Sequence, residues 1–206
     1  MENLHFVDTD KRIGYLRLTS FQKTTSKDVD DALWALHRQG MRSLIIDVRN
    51  NPGGLLNASV EVADKFLTRG IIVSTRGRSE REDFDYRAHT VGTWRVPLVV
   101  MINGESASAS EIFAGEISDH RRGTVVGERS YGKGSVQGIF PLSRFKSGVR
   151  LTTAKFYSPS GKAISKGGVE PDIRVQSVAK PVINSVSLVD AKNDDPVLIR
   201  ATQVAR

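Results

Sequence analysis

The chain predicts an α/β layered domain with right-handed crossovers, and three observations carry that prediction. Residues 44–48 (LIIDV) and 98–102 (LVVMI) are short, nearly continuous apolar runs, the composition of strands buried on both faces of a parallel sheet. Each is followed by a turn rich in glycine or serine and then by apolar residues at helical spacing. The elements alternate along the chain in the order β-α-β-α-β-β-α-β.

Taken in order, residues 13–18 (IGYLRL) alternate apolar and polar and read as a strand. Ser26 is placed as the cap of a helix with Asp28, Asp30 and Asp31 in its first turn. Val29, Leu33 and Leu36 recur along one face, and Gly40 ends it. The strand at 44–48 leads through Asn50-Asn51-Pro52-Gly53-Gly54 into a helix over about 55–67, with Val60, Ala63 and Leu67 on one face. Residues 71–75 form another strand, whereas 78–93 are polar and expected to be an irregular exposed loop. After the strand at 98–102, a Gly- and Ser-rich turn opens a third helix at about 109–118. Short strands are expected at 124–126, 136–141 and 149–156. From about 176 the chain is polar and weakly patterned except for a short helix over 196–204. No internal repeat is visible.

Composition narrows the function classes. A chain of 206 residues with 39% hydrophobic and 26% charged residues suits one substantial globular domain, or two small ones. Its longest apolar runs fall far short of a membrane span, so no stable membrane insertion is expected. No signal-peptide pattern follows Met1, which points to a cytoplasmic protein or to an excised piece of a longer precursor. Cysteine is absent, which excludes disulfides, thiolate nucleophiles and zinc–thiolate sites. The histidines (His5, His37, His89, His120) are scattered, with no metal-ligand spacing, and no metal or other cofactor is expected. The net charge of +7 is dispersed: Arg76, Arg78 and Arg81 alternate with Glu80, Glu82 and Asp83. That is the pattern of a solvated basic surface, and no nucleic-acid partner is expected.

One stretch imitates a nucleotide site. GERSYGKGS (127–135) reads G-x-x-x-x-G-K, but Gly134 stands where a phosphate loop needs Ser or Thr for magnesium. The residues that follow, VQGIFP, read as a strand rather than as the helix whose N-terminus would cradle phosphate. Lys133 therefore needs another role. Two further loops follow buried strands at their C-terminal ends, where α/β sheets usually place their sites. In RNNPGG (49–54), paired glycines let backbone N–H groups approach a ligand closely. In NGESASASEI (103–112), small residues precede a helix whose N-terminus can favour an oxyanion. Taken alone, Ser108 with Glu111 is equally a capping box. Combined with Lys133, the loops suggest a serine nucleophile with a lysine base, a recurrent variant of the serine–histidine arrangement.

Across about residues 12–175 the chain resembles the C-terminal processing (tail-specific) serine proteases. The resemblance rests on Ile13-Gly14-Tyr15, IIDVRNNPGG (45–54), SASASEI (106–112), YGKGSVQ (131–137), LTTAKFYSPSGKAI (151–164) and GGVEPD (167–172), in that order. It implies a layered Clp-protease/crotonase-like core with βα crossovers and additional short strands. By the same resemblance Ser108 is the nucleophile, Lys133 its general base and Gln137 the residue that orients the lysine. The N–H groups of Gly54 and Ala109 form the oxyanion hole, and Ser106 and Ser110 are packing or capping residues. A side chain at Gly54 is expected to displace its N–H while leaving the fold intact.

The implied function is an endopeptidase cutting protein or peptide substrates at or near the C-terminus, in a periplasmic, extracytoplasmic or lumenal compartment. Residues 1–175 would be the protease core and 176–206 a C-terminal extension, with homo-oligomers open. Such enzymes usually carry a PDZ domain before this core. None precedes residue 12, so the chain is expected to be a core fragment or a reduced relative. Two other classes share the layout: non-catalytic binding modules, such as the interphotoreceptor retinoid-binding modules, and crotonase-type acyl-CoA enzymes. The Ser–Lys–Gln set argues against the first, and the NNPGG and SASASEI segments argue against the second.

Overall fold

A computed structural model of the chain describes residues 2–142, 147–165, 167–176 and 195–205. Its main sheet contains β1 (Glu2–Asp8), β2 (Ile13–Arg17), β3 (Ser43–Asp47), β6 (Leu98–Ile102), β7 (Thr124–Gly127) and β10 (Ile173–Arg174), in the spatial order β1-β2-β3-β6-β7-β10. All neighbours are parallel except β1 and β2. A second, antiparallel sheet is ordered β5-β4-β9-β8, from β4 (Ile71–Gly77), β5 (Phe84–Arg87), β8 (Ser135–Leu142) and β9 (Ser147–Tyr157). The helices are α1 (Thr25–Arg38), α2 (Leu56–Asp64), α3 (Ala109–Asp119) and α4 (Pro196–Val204).

Burial of the main sheet on both faces explains its near-continuous apolar strands. Successive side chains of a strand point to opposite faces. Leu44, Ile46, Val100 and Ile102 accordingly enter the larger core, together with Leu33 and Leu36 of α1, Val62 of α2 and Phe113 of α3. Ile45, Val99 and Met101 point the other way, into a smaller core completed by Val197, Ala201 and Ala205 at α4. The chain is thus layered: helices and the second sheet on one face of the main sheet, α4 on the other.

Three local expectations are corrected. Helix α1 starts at Thr25, so Ser26 lies inside its first turn, and the residue at the cap position, Thr24, makes no side-chain cap bond. Instead Thr25 Oγ1 accepts the Gln22 N–H at 2.8 Å and closes the preceding turn. Residues 78–93 hold a one-turn 3-10 helix (Glu80–Glu82) and the edge strand β5. That strand is fixed by pairing with β4, by Asp85, which accepts from Ser74 and Arg76, and by Tyr86, which packs against the larger core. Strand β1 is the third departure: no element was expected before residue 13.

Candidate active site

The parallel strands aim two turns at one another. Residues 49–54 follow β3, and residues 103–108 join β6 to α3. Ser106 is fully buried: its Oγ donates to Val48 O at 2.8 Å and accepts the Asn103 N–H at 3.0 Å. Ser110, equally buried, donates to Asn51 O at 2.9 Å, and that carbonyl also takes the Ala107 N–H at 3.0 Å. Asn103 Nδ2 donates to Asn50 Oδ1 at 2.7 Å, and the Asn50 N–H donates to Asn103 Oδ1 at 2.9 Å. These bonds give Ser106 and Ser110 their packing role and lock the two turns together.

Ser108 stands at the head of α3 with φ +56° and ψ −113°. A positive φ at a non-glycine residue is unfavourable and persists only where its surroundings impose it. Gly53 helps impose it, because a Cβ there would lie 2.6 Å from Ala107 O, 2.8 Å from Ala109 N and 2.9 Å from Ser108 Cβ. Only glycine allows that approach. Gly54 is equally tight, but against the chain on its other side: a Cβ would meet Phe21 O at 2.1 Å, at φ +144°. The expectation that a side chain at Gly54 would spare the fold therefore fails, since the clash is with backbone. The N–H of Ala109, first residue of α3, has no partner within the helix. Neither it nor the Gly54 N–H donates to another group among the described residues.

Glu111 joins this turn to the lysine loop. Its carboxylate is fully buried; Oε2 accepts the N–H of Ser108 and the N–H of Lys133, each at 2.8 Å. Oε1 accepts Ser130 Oγ at 2.5 Å and the Gly132 N–H at 2.6 Å. Tyr131 N–H adds a bond to Ser106 O at 3.0 Å. The backbones of Ser108 and Lys133 thus meet on a single oxygen atom, though the residues are far apart in sequence. Their side chains do not: Lys133 is exposed, and its Nζ makes no hydrogen bond or ion pair among the described residues. Gln137 is also exposed, on β8 beside a bulge between Val136 and Gln137.

A protein-family model described as peptidase family S41 matches residues 12–175, most of the chain. The chain belongs to peptidase family S41. Among curated relatives it is 46% identical over 170 residues to a carboxy-terminal-processing protease of Bartonella bacilliformis, covering 80% of this chain and 39% of that protein. It is 40% identical over 172 residues to a carboxyl-terminal-processing protease of a Synechocystis species, covering 84% of this chain and 39% of the other. This chain thus spans well under half the length of these relatives. A solved structure of a photosystem II D1 C-terminal processing protease superposes with a TM-score of 0.73 at 36% identity, over 88% of this chain and 46% of that one. The layered fold expected from the resemblance is shared with S41 proteases.

Two features of this S41 chain escaped the reading of its sequence. Glu111 was assigned only half a capping box; its tie to the lysine loop needs Ser130, Gly132 and Lys133, which no local pattern connects to it. The second is an ionic chain behind the 49–54 turn. Asp47, fully buried, accepts Tyr15 OH at 2.7 Å, Arg49 Nη2 at 2.8 Å and the Arg49 N–H at 2.9 Å. The other side of the Arg49 guanidinium reaches Asp195, with contacts of 3.0 and 2.8 Å. Burial and the Asp47 carboxylate raise the Tyr15 hydroxyl above its usual pKa. Burial would raise Asp195 too, but the Arg49 hydrogen bond and the Leu198 and Val197 N–H groups outweigh it and hold the carboxyl low.

Proposed function

We propose that this chain is the catalytic core of a serine endopeptidase that cuts protein substrates at or near their C-terminal region. Ser108 is the nucleophile and Lys133 its general base. The single observation that supports the pairing most is the Glu111 oxygen shared by the Ser108 and Lys133 N–H groups. The lysine loop is anchored through its backbone, so rotation about side-chain bonds can carry Nζ toward Ser108 Oγ without rebuilding the fold. In the reaction, Oγ attacks the scissile carbonyl carbon as the Lys133 amine takes its proton. The oxyanion develops against the N–H groups of Gly54 and Ala109, donors worth roughly 2.7–4 kcal/mol each to such a transition state. The lysine then returns the proton to the leaving amine, and a water activated by the Lys133 amine hydrolyses the acyl-enzyme. Gln137 orients the lysine as the site closes.

Among the described residues no helix is long and apolar enough to cross a membrane. We place the enzyme's work in an extracytoplasmic or lumenal compartment on the strength of the family resemblance. The test is digestion of an unfolded protein with the termini of the fragments read by mass spectrometry. Ser108→Ala should abolish cleavage while shifting Tm by only a few degrees, the scale of a lost helix cap in a domain this size. Ser106→Ala and Ser110→Ala should keep substantial activity. Cleavage surviving in Ser108→Ala would end the assignment.

A further inference from the structure

Helix α4 lies beyond the residues matched by the family model, yet it touches the site's framework. Asp195 is its N-cap: Oδ1 accepts the N–H groups of Val197 and Leu198 at 3.1 and 3.0 Å. The same carboxylate takes two contacts from Arg49, the first residue of the turn that ends at Gly54. Arg49 is clamped from the other side by Asp47, so its guanidinium is held between two carboxylates at 17% side-chain exposure. Val197, Ala201 and Ala205 seat the helix on the strands that carry both turns. A cleft of about 330 Å³ beside α4 is walled by Arg17, Arg49, Asn50, Asn103 and Val197, where the helix borders both turns directly.

We propose that Asp195 is a positioning residue of the active centre: through Arg49, the C-terminal helix holds residues 50–54 in the conformation that presents the Gly54 N–H. The inference rests on the proteolytic reading above and extends it to a segment the family match leaves out. The electrostatics are directional. The N-terminus of α4 is the positive end of its dipole, and Asp195 separates it from the Arg49 cation. Without that carboxylate, the guanidinium faces a like partial charge and loses its second anchor. Arg49 then holds to Asp47 alone, and the strained start of the turn, Asn50 at φ +57°, loses support on that side. Asp195 touches no substrate and acts only through Arg49.

Two substitutions in the full chain separate this role from simple capping. Asn caps a helix about as well as Asp but carries no charge, so Asp195→Asn keeps the cap and removes the ion pair. Asp195→Glu keeps the charge but caps poorly. Each variant is measured for kcat and KM on an unfolded protein, for amide hydrogen exchange over residues 50–55, and for Tm. Asp195→Asn should lower kcat about 10- to 100-fold with KM within about twofold, the scale on which ~1 Å misplacements act. It should also speed exchange over 50–55 while Tm stays near the parent value. Asp195→Glu should keep kcat and protection close to the parent and lower Tm instead. Parent-like kcat and exchange in Asp195→Asn would overturn the proposal, as would activity losses that follow Tm in both variants. If the parent chain cleaves nothing, the proteolytic reading fails by itself. Exchange then decides the clamp: faster exchange over 50–55 in Asp195→Asn supports it, and unchanged exchange overturns it.

Discussion

The serine side and the lysine side of this site are built to different standards. Ser106, Ser110 and Glu111 are fully buried, and the turn carrying Ser108 is fixed by bonds to Val48, Asn51 and Asn50. Lys133 and Gln137 are exposed, and the β8–β9 hairpin beyond them turns Phe140, Leu142, Val149 and Leu151 toward solvent. These four lie on one face, since Phe140 pairs with Val149, and Gly138 and Leu142 with Leu151 and Ser147. The strained turn of Ser108 is held by core packing. Among the described residues Lys133 is held at its backbone, through the buried Glu111 carboxylate, and its amine has no partner. The contrast teaches that core burial fixes the turn of Ser108, while the position of the Lys133 amine is left to the surface.

Removing the carboxylate that joins the two sides should have the largest effect. Glu111→Gln keeps the shape but sets an NH2 group against N–H donors of the serine turn or the lysine loop. Leaving such buried donors unsatisfied should cost about 2–4 kcal/mol. Proteolysis should drop by about 100-fold or more if the two backbones separate by ~1 Å. Denaturant unfolding and cleavage assays read both, and a variant with parent activity would show that the sides do not depend on that bridge.

The same small substitution placed on each side sharpens the comparison. Gly54→Ala forces a Cβ into the Phe21 carbonyl at positive φ and should cost roughly 2–4 kcal/mol, combining backbone strain with the clash. Gly138→Ala in β8 meets chiefly the ring of Phe140, itself 47% exposed and able to rotate, and should stay within ~1 kcal/mol. Equal losses at both positions, measured by Tm and denaturant midpoint, would mean the hairpin is as tightly built as the turn.

The next effect depends on pH and concerns α3 itself. Glu116 is fully buried, and its carboxylate oxygens find no hydrogen-bond partner among the described residues. Burial, reinforced by the Asp64 charge, pushes its carboxyl pKa well up. The folded protein then keeps this proton while the unfolded chain releases it. Above the ordinary glutamate range, stability should therefore fall as pH rises, by at most ~1.4 kcal/mol per pH unit, until the folded group ionises. Glu116→Gln should remove that slope and raise Tm near neutral pH relative to the parent. An unchanged Tm–pH curve would contradict it.

Legibility in the sequence followed the source of each element's stability. The strand at 98–102 was placed with the bounds it has, and the helices at 109–119 and 196–204 within a residue, because apolar burial leaves a periodic trace. Strand β5, FDYR, is only four residues long, so its alternation does not stand out from the polar stretch around it, and pairing with β4 and the contacts of Asp85 help to hold it. Within the site, the motifs brought Ser108, Lys133, Gly54 and Ala109 into consideration, and the fold carries the first two to a common oxygen. Glu111 and the Arg49–Asp195 contact were invisible for a physical reason. Their partners come from loops that meet only once the sheet has formed, Arg49 and Asp195 being 146 residues apart in the chain.

The central claim is that Lys133 works as a proton acceptor for Ser108, and one side-by-side assay tests it most directly. Parent chain, Lys133→Ala and Lys133→Arg are compared for cleavage of an unfolded protein under identical conditions near neutral pH. Arginine preserves the positive charge but cannot offer a neutral amine in this range. Both variants should lose activity by orders of magnitude while keeping the parent's Tm within a few degrees, since Lys133 is exposed and its Nζ has no partner among the described residues. Near-parent turnover by Lys133→Arg would contradict it, and would leave the lysine as a surface charge beside a serine activated by something else.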